Sequence, residues 1–349
     1  MSHAFSDVVG NQALKAHLEA DIRNRSLSHA YLIEGGKGFG KHLLSLRIAM
    51  ALSCEARADS HSPLPCMRCA ACKKIMDGNS PDLIYVSREE KATLGVDVIR
   101  KVRNDVMIAP NDFDTKIYVI EDAHLMTEQA QNALLLTLEE PPPYVLFLLL
   151  CENLAPMLET VRSRAPVLRM SRIPAEEIRA HILATVPEAK ALQSSEKREL
   201  EEIIAAADGS IGKAKLLLDP KKRKPILTQR EKARELVRLC ASSRQSLSAW
   251  QYLSSLPQKR DELSAQLQMS LLCVRDLILC KQTDNAPLCF FLDREEASSL
   301  SYGFTTPELL LLCDALSDAA DALSHNANVR RLLTDFAVRT GLFPISDND

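Results

Sequence analysis

The sequence predicts an α/β domain built on a parallel sheet, followed by a helical C-terminal part. Three observations carry that expectation. Short apolar runs alternate with helical stretches over the first 170 residues; a glycine-rich loop joins the first such run to a helix; and beyond Pro174 the strand signals fade while helical periodicity continues.

The bulk properties bound the answer. A chain of 349 residues has room for two or three domains and a sizeable core. With 46% hydrophobic and 26% charged residues the composition is that of a globular protein, and 11 glycines with 5% aromatics lean it towards helix. A net charge of −3 argues against a chain that coats nucleic acid unaided. The longest apolar run, Tyr144 to Cys151, is strand-sized and far short of a membrane span. Met1 to Gly10 lacks the shape of a signal peptide, so a cytoplasmic protein is expected. In that compartment the ten cysteines are expected to be thiols or metal ligands.

Taken in order, Phe5 to Gln12 reads as a lead-in to a helix over Gln12–Asn24, which gathers Leu14, His17, Leu18 and Ile22 towards one side. Tyr31, Leu32 and Ile33 form a short buried strand. Gly35, Gly36, Gly38 and Gly40 follow as a loop, and from Lys41 to Leu52 the pattern is helical. Strand, glycine loop and helix start are the parts of a phosphate cradle, in which backbone N–H groups and the helix dipole face an anion and Lys41 reaches the outer phosphates. The spacing Gly35-x4-Gly40-Lys41 fits the Walker A pattern until its last position. There the magnesium-binding Ser or Thr is replaced by His42, a poor partner for a hard cation.

Cys54, Cys66, Cys69 and Cys72 come next. Cys-x2-Cys-x2-Cys with a fourth cysteine nearby supplies four thiolates for a tetrahedral, structural Zn²⁺, and leaves no position open for water. Four buried thiols are the plainer alternative, disfavoured by the flanking Arg68, Lys73 and Lys74; His61 is a second-choice ligand.

Pro81 to Ser87 reads as a strand and Val96 to Val106 as an amphipathic helix. Lys116 to His124 is a buried strand ending in the acidic pair Glu121-Asp122, where open α/β sheets bind ligands. A Walker B strand has Asp then Glu, so the order here is reversed; favourable acids in a helix N-terminal turn are the alternative. Thr127 to Glu140 is a helix stopped by Pro141, Pro142 and Pro143. Tyr144 to Leu150 and Val167 to Met170 are further strands, with Thr160-Val-Arg-Ser-Arg164 between them. Three short helices are expected over Ala175–Leu183, Lys197–Ala207 and Ile211–Leu218. Asp219 to Pro225, charged and bracketed by prolines, reads as a solvated linker, with a phosphate-touching patch as the sharper alternative. Residues 226 to 343 then form about five helices without a catalytic constellation.

The run Leu27-Ser-His-Ala-Tyr-Leu, the glycine loop, the four cysteines, Asn132-Ala-Leu-Leu-Leu-Thr-Leu-Glu-Glu-Pro-Pro and Thr160-Val-Arg-Ser-Arg resemble, in this order, the AAA+ clamp-loader family of bacterial DNA polymerase III, and within it the delta-prime branch. The resemblance covers residues 1 to about 218, and the C-terminal helices only by length and character. It implies an AAA+ P-loop domain over 1–170 with a zinc-binding insertion at 54–72, a helical lid over 171–219 and a helical collar over 226–349. It implies a hetero-pentamer with gamma or tau subunits, which hydrolyse ATP, and delta, which opens the sliding clamp; clamp and primer-template DNA are reached through that complex. It also implies a stator whose Arg164 acts as an arginine finger in a neighbour's ATP site, a task suited to a guanidinium that is always charged and matches phosphate oxygens. Pairing of Arg164 with a local carboxylate is the alternative, and Arg162 is the lesser finger candidate.

Departures from the ATPase pattern all point one way. His42 replaces the hydroxyl, Glu121-Asp122 inverts the acids and Leu136 stands where the family often has Lys. The strand end near Cys151 lacks a γ-phosphate sensor, and Gly212 stands where ATPase subunits carry a sensing Arg. Little or no turnover is expected; a gamma/tau-type ATPase is the alternative. Whether ATP or ADP still occupies Gly35, Gly36, Gly38, Gly40, Lys41, His42, Glu121 and Asp122 is left open by the sequence.

Overall fold

The computed structural model describes residues 5–59, 61–88, 91–195, 197–242, 247–283, 286, 288–291, 293–324 and 327–342. The chain divides into two compact units, residues 1–184 with 209–213 and residues 185–208 with 214–349. The last seven residues of the expected collar, 343–349, lie outside the described residues.

The first unit is built on five parallel strands, β1 (Ala30–Glu34), β2 (Leu83–Val86), β3 (Lys116–Ile120), β4 (Val145–Cys151) and β5 (Val167–Arg169), in the order β2-β3-β4-β1-β5. All seven residues of β4 and all five of β3 are buried. Strands covered on both faces have no use for alternation of polar and apolar residues, which is why Val-Leu-Phe-Leu-Leu-Leu-Cys reads as a continuous apolar run. Alternate side chains still part to opposite faces. Ile117, Val119, Leu146, Leu148 and Leu150 join Leu18, Ile22, Leu44 and Ile48 in one core. Tyr118, Ile120, Phe147 and Leu149 join Ile99, Leu134 and Val161 in the other. The helices are α1 (Gln12–Asn24), α2 (Lys41–Leu52), α3 (Ala70–Met76), α4 (Val96–Val106), α5 (Glu128–Glu139), α6 (Glu159–Arg162) and α7 (Ala175–Thr185). The expected α/β sheet and its glycine loop are thus present, with a helical C-terminal part.

Two buried polar groups organise the edges of this sheet. The Asp82 carboxylate accepts hydrogen bonds from the N–H groups of Asn111, Asp112 and Phe113 at 2.7, 2.7 and 3.0 Å, pinning the turn that leads into β3. Lys116, 4% exposed, ends beside Asp105 at 2.9 Å, and the Tyr118 hydroxyl donates to the same carboxylate at 2.7 Å.

The second unit is helical among its described residues. A helix over Pro187–Ser195 joins the expected one at Lys197–Ala207. Residues 219–225 are not an extended linker: they open a helix that runs over Pro220–Ser242. Asp219 starts it by accepting at its carbonyl from the N–H of Lys222 and Arg223 and at its side chain from that of Lys221. Pro220 is tolerated because the first-turn N–H it lacks has no helical partner in any case. Arg223 of the basic run is largely buried and paired with Glu199, so the run is not wholly solvated. Phe290, Phe291, Leu263, Leu267, Leu309, Leu316 and Phe336 fill the core. Inside it the Asp276 carboxylate accepts from the N–H groups of Cys289, Phe290 and Phe291 at 2.8, 2.6 and 3.1 Å. The helix Arg260–Gln282 is long and apolar enough by composition to cross a membrane; half of that window is buried in the unit, as befits a core helix.

Candidate functional site

The carboxyl ends of β1, β3 and β4 bring the candidate residues together, as the topology of an open parallel sheet requires. β1 runs into the glycine loop, and the Gly35 N–H donates to the Cys151 carbonyl at the end of β4 (3.0 Å). Gly38 (φ 78°) and Gly40 (φ 92°) take left-handed conformations that the turn into α2 demands of glycine. At the start of α2 the Lys41 ammonium folds back over the loop and donates to the carbonyls of Gly35 (2.5 Å) and Gly36 (3.1 Å). Burial lowers the pKa of Lys41, opposed by the charges of Glu152 and Asp122.

The positions that would serve a magnesium ion are otherwise engaged. His42 lies with Nδ1 3.5 Å from the Glu121 carboxylate, and its ring stacks on Tyr85 with centroids 6.3 Å apart. Asp122 takes a left-handed backbone (φ 49°), and its carboxylate meets the Arg88 guanidinium at 3.4 Å. Arg88 is itself tied to the Lys91 carbonyl at 2.6 Å. Magnesium demands near-octahedral oxygen ligands; here one position offers nitrogen, Glu121 faces that imidazole and Asp122 faces a guanidinium. The residues present do not fit the ion. At the end of β4, Cys151 is fully buried and burial pushes its thiol up to about 12, so it stays a neutral thiol. The neighbouring His124 accepts at Nδ1 from the Glu152 N–H, and burial lowers its pKa.

Residues 209–213 close over the loop. Gly212 N–H donates to the Gly38 carbonyl (3.0 Å), and the Ser210 hydroxyl donates to the Lys37 carbonyl (3.0 Å) while accepting from Lys213 N–H (3.1 Å). A Cβ on Gly212 would lie 2.8 Å from Gly38 Cα and 3.0 Å from its carbonyl oxygen. No side chain fits there without backbone movement, so an arginine at this position is sterically excluded.

Arg164 lies away from this cluster, after α6. Its guanidinium pairs with Glu139 at 2.7 Å and donates to the Thr160 carbonyl at 3.0 Å, so the local carboxylate pairing weighed above is present. Its side chain stays 36% exposed, and Arg162 is exposed.

The four cysteines converge. The Sγ atoms of Cys54, Cys66, Cys69 and Cys72 all lie within 4.8 Å of one another, although Cys54 is twelve residues from the next. N–H groups of Cys66, Cys69 and Cys72 donate to the sulfurs of Cys54, Cys66 and Cys69 at 3.4, 3.4 and 3.5 Å. Burial raises the Cys66 thiol, but N–H groups of Arg68 and Cys69 and the neighbouring thiols outweigh it and hold it at about 7. Burial raises Cys54 and Cys72. Four convergent sulfurs with amide donors suit a tetrahedral Zn²⁺, whose thiolate ligands lie about 2.3 Å from the metal. His61 is not part of this group.

Sequence reasoning missed Arg88, Tyr85, Ser210 and Glu139. Glu139 and Ser210 stood beside residues already noted and Tyr85 in a strand already expected, but neither residue type nor spacing marked any of the four for the site.

Residues 10–174 match the family described as DNA polymerase III, delta subunit. The chain is 37% identical over 217 residues to DNA polymerase III subunit tau of Bacillus subtilis, a match spanning 62% of this chain and 37% of that protein. It is 32% identical over 215 residues to the tau subunit of Escherichia coli, across 62% and 32% of the two chains. The matches thus span about a third of these relatives. Among solved structures it is similar to a gamma subunit-related protein of Thermotoga maritima, at 16% identity and a TM-score of 0.40, covering 93% of this chain and 99% of that one. Over these residues the chain is similar to subunits of DNA polymerase III.

Proposed function

We propose that this clamp-loader relative is the delta-prime subunit of its complex: a cytoplasmic stator that does not turn over ATP and lends Arg164 to a neighbouring ATPase subunit. The observation that carries this reading is the engagement of Glu121 with His42 and of Asp122 with Arg88. Phosphoryl transfer needs a metal bridging the phosphates and a group orienting the nucleophile, each lowering the barrier by several kcal/mol. With Glu121 engaged by the His42 ring, Asp122 by a guanidinium and Gly212 sealed against Gly38, neither contribution is on offer. Glu139 holds the Arg164 guanidinium in a partly exposed position from which a neighbour's triphosphate could take it over. The zinc cluster is structural, holding residues 54–72 in a shape their few apolar side chains would not hold. Partners in this reading are gamma or tau and delta, with clamp and primer-template DNA engaged through the complex.

A gamma/tau-type ATPase is the second reading, favoured by the names of the relatives and by the complete Gly35-x4-Gly40-Lys41 spacing. Steady-state ATP hydrolysis separates the two. The purified chain should show no turnover above background yet join a complex with gamma and delta; turnover typical of an ATPase would establish the motor reading instead.

A further inference from the structure

We propose that Glu139 is a positioning residue for Arg164: its carboxylate keeps the guanidinium in one place, so that a nucleoside triphosphate on a neighbouring subunit meets a side chain already ordered. The inference rests on the reading of Arg164 as a finger and goes beyond it by naming the residue that sets the finger's geometry.

Both ends of Arg164 are held. Its backbone N–H donates at 3.1 Å to the carbonyl of Val161, a fully buried residue. At the far end Nη1 donates to the Thr160 carbonyl at 3.0 Å and to Ser163 Oγ at 3.4 Å, while Nη2 lies 2.7 Å from Glu139 Oε1. Nε has no acceptor among the described residues, which leaves a donor for a phosphate oxygen. Arg162, exposed and two positions earlier, has no such carboxylate among the described residues. Glu139 stands where a helix least favours an acid. It is the last residue of α5, whose final turn carries no basic residue, and the negative end of the helix dipole repels a carboxylate there. α5 gains nothing locally from that charge; the gain lies at Arg164, beyond the three prolines and β4. An arginine fixed only at the moment of reaction loses its rotamer freedom then, and the loss adds to the barrier. One ordered beforehand has already lost it. The pair is partly exposed, 36% for Arg164 and 46% for Glu139, so a phosphate reaches the guanidinium without opening the chain.

The test is the ATPase of the complex with gamma and delta, reconstituted with Glu139→Gln, with kcat and KM read separately at the affected site. The expected result is a kcat lowered about three- to tenfold and a KM within about twofold of the wild type. The thermal midpoint of the chain alone should stay within about 2 °C, since Gln keeps the shape and removes the repulsion at the helix end. An unchanged kcat overturns the proposal, and so does a raised one, which would show the carboxylate competing with phosphate for the guanidinium. A midpoint that fell further, together with kcat, would assign Glu139 to the fold and overturn it as well. So would a further loss on adding Glu139→Gln to Arg164→Ala, because Glu139 would then act through another group. Arg164→Ala alone keeps the two levels apart. An unchanged rate there removes the finger reading and this inference together; a rate that falls with Arg164→Ala but not with Glu139→Gln removes this inference only.

Discussion

The close approach of Gly212 to Gly38 can be tested by adding one methyl group. In Gly212→Ala the new Cβ would lie 2.8 Å from Gly38 Cα, where carbon atoms normally sit about 3.5–4.0 Å apart. The obstacle is backbone on both sides, so relief requires the loop or residues 210–213 to shift by nearly an ångström. Overpacking of this kind costs about 1–3 kcal/mol. The shift also weakens the 3.0 Å bond from Gly212 N–H to the Gly38 carbonyl, worth about 1 kcal/mol. Opposing both is the helix preference for Ala over Gly, at most about 1 kcal/mol at a position so near the helix start. The net expectation is a local destabilisation of about 1–2 kcal/mol or slightly more. Amide hydrogen exchange over residues 35–41 reads it, because opening free energies translate directly into exchange rates. Exchange should accelerate about five- to thirtyfold in the variant while amides in β4 keep their protection. If Gly212→Ala left the loop amides unchanged or slowed them, helix propensity would have won, and the contact would not be holding the loop.

Metal analysis of the purified chain should find about one zinc, and Cys72→Ser should lose it together with protection of residues 54–76; a folded, zinc-free chain would refute the cluster. Arg164→Ala should lower the ATPase rate of the reconstituted complex by about a thousandfold at the affected site. Its own stability should change by less than about 1 kcal/mol, since the pair with Glu139 is partly exposed. Asp105→Asn should destabilise the first unit by about 1–2 kcal/mol at neutral pH, through the lost pairing with Lys116 and the Tyr118 hydroxyl. Burial raises the Asp105 carboxyl, but those two partners outweigh it and hold its pKa below the usual value. The carboxylate's contribution is therefore complete above about pH 4 and is lost as pH falls through the depressed folded value. The gap between wild type and variant in denaturant midpoints should close on acidification; a gap that widened would reverse the sign of the argument.

Several features were legible from residue order because the physics behind them is local. Buried parallel strands must be continuous apolar runs, so β1, β3 and β4 appear in the sequence almost as they fold. The helix over Gln12–Asn24 and that over Val96–Val106 match their expected bounds for the same reason, since the 3.6-residue period is written into the chain. The glycine loop and the Cys-x2-Cys-x2-Cys spacing announce a chemistry through residue types that little else requires. Asp219–Pro225 misled because proline and charge mark loops on average, whereas Pro220 at a first turn and an Asp219 cap are compatible with helix.

What only the tertiary structure decided is who faces whom. The sequence shows His42 where a Walker A loop has a hydroxyl and Glu121 ahead of Asp122; it cannot show that Glu121 meets the His42 ring and Asp122 a guanidinium, because Arg88 is 34 residues from Asp122 and His42 is 79 from Glu121. It shows a glycine at 212, but only the fold lays that glycine against Gly38 and makes any side chain there a clash. Local propensity and periodicity follow from a few neighbouring residues, whereas pairing and steric exclusion depend on distances that the packing of the sheet and its helices sets.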